Sequence, residues 1–382
     1  MNKKIKICHF NGKRGGFGAL KRTLKMIKED PCFELQLVVG DMHVSNKFGK
    51  TIKEVEENFE VSAFVDMKQA GGRAAQRSVA IGVCLEKITS VLEKLKPDLF
   101  LCLGDRGEVL ASVIAAVNLK IPVLHVEGGD KSGNLDEYFR HAITKLSHIH
   151  FPSTKQSAGR IKKMGEEKWR IHVVGDAHID PIVNKLYTPV EKAVKKYNLK
   201  KDYLIVIQHP ETINPEFSYS QMVETLKAVK KTGLEVIVVY PCSDQGYEGI
   251  IKAVKEYKSV GRFKIFKNIV SDDFLGLLEG SRAIVGNSSC GIKEAAYFRV
   301  PVINIGKRQS GRLRESSVID VPIINKKNIF EAIKKAFNDK EYKNEFDNFK
   351  FLYGHGKCAE KIIKVIKNIK INQNLFEKKM TY

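Results

Sequence analysis

The sequence predicts an α/β protein made of two doubly wound, Rossmann-like halves that face each other across a cleft. Three observations carry this. Short apolar runs alternate with amphipathic helical stretches along almost the whole chain, and repeated β-α alternation closes into parallel, doubly wound sheets. A lysine-rich stretch from Leu186 to Asp202, with no strong apolar stripe, divides that alternation into two sets. In each set a glycine-containing turn follows an apolar run, at the strand end where parallel sheets hold their ligands. The division expected is 1–182 and 183–382, joined through a linker at Leu186 to Asp202.

In the first half, Lys4 to Phe10 opens as a strand and runs into Asn11-Gly12-Lys13-Arg14-Gly15-Gly16-Phe17-Gly18, after which Ala19 to Lys28 has helical periodicity. Phe33 to Val39 is the next strand. Asp41 to Gly49 is a polar loop, expected as a flap over the substrate side. Val61 to Val65 is a short strand, Gly71 to Arg77 a flexible basic stretch, and Ser78 to Leu95 a long amphipathic helix. Leu99 to Leu103 and Ile121 to Val126 are apolar runs ending in Gly104-Asp105-Arg106 and Glu127-Gly128-Gly129, with an Ala-rich helix between them. Asp105 and Glu127 are therefore expected on one rim, on neighbouring strands. Asp136, Glu137 and Arg140 enter the following helix. His150 to Pro152 is a strand, Lys155 to Met164 a helix, and Arg170 to Val174 the last expected strand, ending at Gly175-Asp176.

The second half repeats the pattern. Tyr203 to Ile207 is a strand ending in Gln208-His209-Pro210-Glu211. Strands at Glu235 to Val239, Phe263 to Phe266, Ala283 to Val285 and Pro301 to Ile305 alternate with helices at Ser218 to Lys230, Tyr247 to Tyr257, Ser271 to Leu278 and Ile292 to Phe298. Helices are expected to fill the remainder, at Asn328 to Phe337, Lys340 to Phe349 and Cys358 to Ile369, with Gln373 to Tyr382 frayed.

Composition narrows the class. The 382 residues, 43% hydrophobic and 29% charged, describe a globular chain. No run approaches the roughly 18 apolar residues of a membrane span, and no signal-peptide core opens the chain. Seven scattered cysteines without a C-x-x-C pair indicate a reducing cytoplasm and no zinc site. The net charge of +21 invites a nucleic-acid reading. The lysines, however, spread over many helix faces without aromatic interleaving, which favours a solvated surface.

Crowded acids beside arginines at one rim are costly unless a ligand or reaction uses them. A Gly-rich turn between strand and helix lets backbone amides approach an anion. The first turn lacks dinucleotide spacing and reads equally well as a tight turn, although Arg14 suits a phosphate or a sugar ring oxygen. Gly286-Asn287-Ser288-Ser289-Cys290-Gly291 is its counterpart, with Glu294 one turn in, placed to accept from ribose hydroxyls; an ordinary helix cap with an outward glutamate fits those residues as well. Lys307, Arg308, Arg312 and Arg314 follow the next strand end, which favours an anion site, and His209 is placed to touch a diphosphate.

Two such halves describe the GT-B architecture. Gly104-Asp105-Arg106, His125-Val126-Glu127-Gly128-Gly129, Asp136-Glu137, the run Arg140 to His148, Gln208-His209-Pro210, Asn287 to Gly291 with Glu294, Gly306 to Gln309, Met42-His43 and Phe48 to Ile52 form one set of motifs. Together they resemble those of the hydrolysing UDP-N-acetylglucosamine 2-epimerases, the family that includes bacterial enzymes of sialic-acid synthesis and the epimerase half of the animal bifunctional enzyme. The resemblance covers nearly the whole chain. His209-Pro210-Glu211-Thr212 differs from the His-Arg-x-Glu-Asn of the non-hydrolysing branch. Two departures stand out: Lys13-Arg14-Gly15-Gly16-Phe17 replaces Thr-Arg-Ala-Asp-Tyr, and Gly107 replaces a bulky aromatic. Both relax the cleft and bear on which sugar and base it accepts.

The resemblance implies a 2-epimerase that eliminates UDP to a glycal and rehydrates it, with UDP-N-acetylglucosamine the expected substrate. It assigns the essential acids to Asp105, Glu127 and Asp136. Substrate contacts fall to Arg14, His43, Arg106, Glu137, Arg140, His209, Asn287, Ser288, Ser289, Glu294 and Arg308. It also implies a nucleotide-sugar partner, no cofactor or metal, no nucleic acid or membrane, a homo-oligomer (dimer or tetramer), and last helices that return to the first half. The alternatives are a UDP- or GDP-diacetamido-trideoxy sugar as substrate, a non-hydrolysing epimerase, a GT-B glycosyltransferase, and a binding protein that has lost catalysis.

Overall fold

The computed structural model describes residues 4–382 apart from 50, 70, 201 and 347–349. The first half holds strands β1 Ile5–Asn11, β2 Phe33–Gly40, β3 Ala63–Val65, β4 Leu99–Leu103, β5 Val123–Val126 and β6 Ile149–Phe151. The second holds β7 Tyr203–Ile207, β8 Glu235–Val239, β9 Phe263–Phe266, β10 Ala283–Gly286, β11 Val302–Ile305 and β12 Val318–Val321. The sheet orders are β3-β2-β1-β4-β5-β6 and β12-β11-β10-β7-β8-β9, parallel throughout. Each is the same doubly wound order, so each sheet has one point where the winding reverses, between β1 and β4 and between β7 and β10. Ligands bind beyond the strand ends there. Apolar strands such as Leu99–Leu103 and Tyr203–Ile207 are fully buried because helices cover both faces of each sheet.

Asp105 and Glu127 do follow neighbouring strands, with Leu103 paired to Val126. The helix at Asp136–Leu146 starts on its two acids, as expected. The helix Cys358–Asn368 returns to the first half: Cys358, Ile362, Ile363 and Ile366 share a core with Leu20, Leu24 and Leu99. Asp180 fixes its start, accepting the amides of Cys358 (2.8 Å) and Ala359 (2.7 Å).

Several local expectations are corrected. Residues 170–174 run beside β6 without joining it. Lys168–Arg170 is a 3-10 turn and Ile171 makes only an isolated bridge to His150, because the buried Arg170 turns inward to the carbonyls of His148, Asn374, Leu375 and Glu377. The same contacts dock the tail, so Gln373–Phe376 is helical and Leu375 is buried rather than frayed. The stretch Leu186 to Asp202 is no free linker. Its helix spans only Val190–Lys196, with Ala193 buried and Lys196 paired to Asp273 (2.5 Å), so it packs on the second half; Lys201 lies outside the described residues. Val318–Val321 is an edge strand where only helices were expected, and Lys340 to Phe349 is helical to Phe346, with 347–349 outside the described residues. The helix expected at Ile292 to Phe298 is two short pieces, Ser289–Ile292 and Glu294–Tyr297, parted at Lys293. The first helix begins at Arg14 rather than Ala19. Its glycines allow close approach of the second half: a Cβ on Gly18 would meet the Ser271 Cβ at 2.8 Å. No helix among the described residues is long and apolar enough to cross a membrane.

The polar stretch Asp41 to Gly49 is an inter-half contact rather than a flap. Phe48 is buried with its ring 5.3 Å from that of Tyr247, Lys47 donates to the Tyr247 hydroxyl (2.6 Å), and Asp41 accepts from Ser243 (2.8 Å). Lys50 lies outside the described residues.

Candidate active site

Both reversal points open into one cleft between the halves, enclosing ≈ 1470 Å³ when the part open to solvent is counted. From the first half it is lined by Lys13, Arg14, Asp105, Arg106, Glu127, Asp136 and His178. From the second it is lined by His209, Cys242, Ser288, Ser289, Lys293, Glu294, Arg308, Gln309 and Arg312. All three candidate acids thus share one wall, opposite the Gly-Ser turn. That placement follows from topology: Asp105 and Glu127 sit just past neighbouring strand ends of one sheet, Asp136 opens the helix that follows the second of them, and the turn sits at the reversal point of the other sheet.

The acids differ in electrostatic setting. Burial pushes the Asp105 carboxyl up, but Arg140 in direct contact, Lys13 at 4.0 Å and nearby Arg312 outweigh it and hold Asp105 well below the usual carboxylate range. Asp136 goes the other way: burial, reinforced by the charges of Asp105 and Asp244, raises its proton affinity despite Arg308 at 3.3 Å. Glu127 is lowered. Burial and Asp176 raise it, and Lys293 (3.0 Å) and His178 (2.9 Å) overcome both. His178 itself is lifted to about 10: burial opposes the proton, but Glu127, Glu294 and Asp176 face the ring. Glu127, Asp176 and His178 bring donor atoms within 4.8 Å of one another, a spacing compatible with a metal ion. The Lys293 ammonium already lies against both carboxylates and supplies their countercharge.

On the opposite wall, Asn287 ties the ends of β7 and β10 together, accepting from the His209 amide (2.7 Å) and donating to the His209 carbonyl (2.9 Å). Nδ1 of His209 accepts from the Cys242 amide (3.1 Å), and burial first, then Arg308, keeps the ring neutral. Its Nε2 therefore carries the hydrogen into the cleft. Arg308 Nε, Arg312 Nε and one oxygen each of Glu294 and Asp244 are buried without a hydrogen-bond partner among the described residues. Buried polar groups are normally satisfied, so the three orphans on cleft-lining residues, Glu294, Arg308 and Arg312, mark a place for a polar ligand.

Of the residues singled out from sequence, Asp105, Glu127, Asp136, Arg14, Arg106, His209, Ser288, Ser289, Glu294 and Arg308 meet in the cleft. His43, Glu137, Arg140 and Asn287 stand behind its wall. His43 is buried between Asn11 (2.7 Å) and Thr51 (2.9 Å), Glu137 accepts from the Ser132 amide (2.6 Å), and Arg140 orients Asp105 and holds the Asp130 carbonyl (2.9 Å). Arg14 lines the cleft, yet its guanidinium is committed to the carbonyls of Lys267 (2.6 Å) and Tyr240 (2.5 Å), so here it clamps the halves instead of waiting for an anion. Arg106 likewise pairs with Asp244 across the interface and with Glu108 (3.2 Å). Lys13, Asp176, His178, Asp244 and Lys293 went unrecognised as site residues. Asp176 and His178 follow a predicted strand end and were reachable on that ground; nothing in local spacing marks Lys293.

Comparison with known proteins agrees with this geometry. Residues 25–367 match the UDP-N-acetylglucosamine 2-epimerase family. Over 380 residues, 99% of each chain, the sequence is 33% identical to the UDP-N,N'-diacetylbacillosamine 2-epimerase (hydrolyzing) of Legionella pneumophila. Over 334 residues, 87% of each chain, it is 34% identical to a UDP-N-acetylglucosamine 2-epimerase of Neisseria meningitidis. In fold it is similar to the crystal structure of UDP-GlcNAc 2-epimerase from Neisseria meningitidis bound to UDP-GlcNAc, with a TM-score of 0.78 over 96% of this chain and 100% of that one at 18% identity. Two sheets of identical winding, three acids on one wall and a Gly-Ser turn on the other are thus accompanied by sequence kinship over almost the full length: the chain belongs to the UDP-N-acetylglucosamine 2-epimerase family.

Proposed function

We propose that the protein is a hydrolysing 2-epimerase of a UDP-linked 2-acetamido sugar, releasing the 2-epimerised free sugar and UDP. The observation that carries this is the placement of Asp105, Glu127 and Asp136 on one wall of a cleft whose other wall presents a Gly-Ser turn, His209 and Arg308, whose Nε has no partner among the described residues. A transferase needs an acceptor groove and usually one base, and three converging acids exceed that need.

The chemistry follows from the groups. Removing the weakly acidic C2 hydrogen becomes feasible if the C1–O bond to UDP breaks with it, leaving a glycal. Water then adds at C1, and C2 takes a proton on the opposite face. Charge growing on the departing diphosphate needs donors fixed in advance. The turn amides at Ser288 and Ser289, the His209 Nε2–H and Arg308 meet that need, while Glu294 has a free oxygen for ribose hydroxyls. Asp136, with raised proton affinity, is suited to exchange a proton, and Asp105, pinned by Arg140, remains an anion facing the developing positive charge at C1. Glu127 supplies the second face.

UDP-N-acetylglucosamine is the first candidate substrate. A 2,4-diacetamido-2,4,6-trideoxy relative is the second, supported by the Legionella enzyme, whose name gives UDP-N,N'-diacetylbacillosamine and whose match spans 99% of both chains. The test is a panel of UDP- and GDP-sugars incubated in deuterated water and followed by NMR. Free manno-configured sugar carrying deuterium at C2 is the expected product. Epimer still attached to UDP would mean a non-hydrolysing enzyme, and transfer only to an added acceptor would mean a glycosyltransferase.

A further inference from the structure

Lys293 separates the two short helices that carry the nucleotide-facing groups, Ser289–Ile292 and Glu294–Tyr297, and its backbone (φ −100°, ψ −67°) breaks what would otherwise be one helix. The residue is 1% exposed. A buried ammonium is costly unless it is paired and hydrogen-bonded. Its partners lie on the other half of the molecule: Nζ is 2.6 Å from Asp176 Oδ2 and 3.0 Å from Glu127 Oε2, and sits over the Tyr353 ring. The second oxygen of Glu127 meets His178 Nδ1 at 2.9 Å, and the same nitrogen lies 3.0 Å from Asp176 Oδ1. Glu127, Lys293, Asp176 and His178 therefore close a ring of two anions and two cations in which both oxygens of the acid are held. Glu127 also has φ +66°, a left-handed backbone that a glutamate adopts only under constraint. The backbone aims the carboxyl and the ring fixes its rotation.

We propose that Lys293 is a positioning residue of the reaction: reaching from the nucleotide-facing element of one half, it seats the catalytic carboxylate of Glu127 on the other. The assignment rests on the epimerase reading for the role of Glu127, while the geometry of the ring is independent of it. Charged groups facing Glu127 come from every packed element: Lys293 and Glu294 from the helix pair, Asp176 and His178 from the turn after Gly175, and Asp130 and Arg312 farther out. Removing the lysine leaves His178 as the sole adjacent cation.

The test compares wild type with Lys293→Met, Lys293→Arg and Asp176→Asn, each checked for folding by thermal melting. Lys293→Met is expected to lower kcat roughly tenfold or more with UDP affinity little changed. The acid limb of its kcat profile should move to higher pH by about 1–3 units, and Lys293→Arg should restore most of both. Carboxyl carbon NMR, with Glu127 assigned by loss of its signal in Glu127→Gln, reads the same effect without turnover. The Glu127 titration should rise in Lys293→Met and fall in Asp176→Asn, where Lys293 serves Glu127 alone. If wild type turns over no UDP-sugar, the epimerase reading fails and the carbon titration still decides the role of Lys293. A Glu127 titration unmoved in every folded variant, or UDP affinity lost in step with kcat, overturns the proposal.

Discussion

Asp105 and Asp136 face one cleft, yet Arg140 holds the first as an anion while burial and neighbouring acids raise the second. On the proposed reading each of the three acids has its own role, so Asp105→Asn, Glu127→Gln and Asp136→Asn are each expected to reduce turnover by at least ~10²-fold with circular dichroism unchanged. Near-wild-type rates in all three would displace the site. His178 gives a stability prediction. Its folded value of about 10 stands above the ordinary 6.5, so its contribution is complete below pH 6.5 and is lost as pH rises toward 10. Wild type should therefore lose stability between pH 7 and 9.5 more steeply than His178→Gln, as read by denaturant midpoints. At this scale, legibility followed motif density. Asp105 and Glu127 were recoverable because each lies beside a strand end, and Asp136 because it opens a helix, all three inside distinctive runs. Lys293 was not, since its importance comes from Asp176, more than a hundred residues away in sequence, and no local period points to that contact. Arg14 was expected to hold a phosphate; it lines the cleft, and the carbonyl partners its guanidinium has here could not be foreseen because any sequence presents such carbonyls.

At the scale of elements, strands buried on both faces declared themselves: Leu99–Leu103, Tyr203–Ile207 and Glu235–Val239 fall where the apolar runs place them. The elements misread are those whose state is decided by a partner. Residues 170–174 are apolar enough for a strand, but Arg170 is recruited by the tail. Val318–Val321, with the exposed Asp320, is too short and too polar to stand out before β11 pairs with it. The returning helix Cys358–Asn368 has a strong apolar stripe, and where that stripe docks is set by Asp180. Removing a buried acceptor leaves both amides of Cys358 and Ala359 without their bonds, so Asp180→Ala should destabilise the protein by about 1–3 kcal/mol. UDP binding by the folded fraction should persist. Chemical denaturation alongside calorimetric UDP titration checks both.

Across the whole molecule, the halves are engaged through Lys21–Asp272 (2.7 Å), Arg106–Asp244, Arg308–Asp136 and the bond from the Gly133 amide to the Arg308 carbonyl (3.1 Å). This is a closed arrangement; on the proposed reading the free protein in solution also visits an opened form in which those contacts part to admit a nucleotide sugar, and closure then excludes water until the glycal forms. UDP is expected to reduce the radius of gyration in small-angle scattering, and Glu294→Ala to weaken UDP binding by roughly tenfold. An unchanged radius together with unchanged affinity would remove both closure and the ribose contact. The chain passes between the halves twice, once leading into the helix at Val190–Lys196 and once ahead of the helix at Cys358–Asn368. The two passages are laced together, the Asp176 amide to the Tyr353 carbonyl (2.8 Å) and Asn184 Nδ2 to the Gly356 carbonyl (2.9 Å). A door hung on two adjacent pins swings about one axis and does not twist. Asp176 lies on that axis while its carboxylate meets Lys293, so the acid ring sits at the short end of the lever. On the proposed reading, a swing about that axis would part inter-half contacts such as Arg106–Asp244 and Lys47–Tyr247, which bond to neither passage, while the contact between Asp176 and Lys293 stays beside the pins.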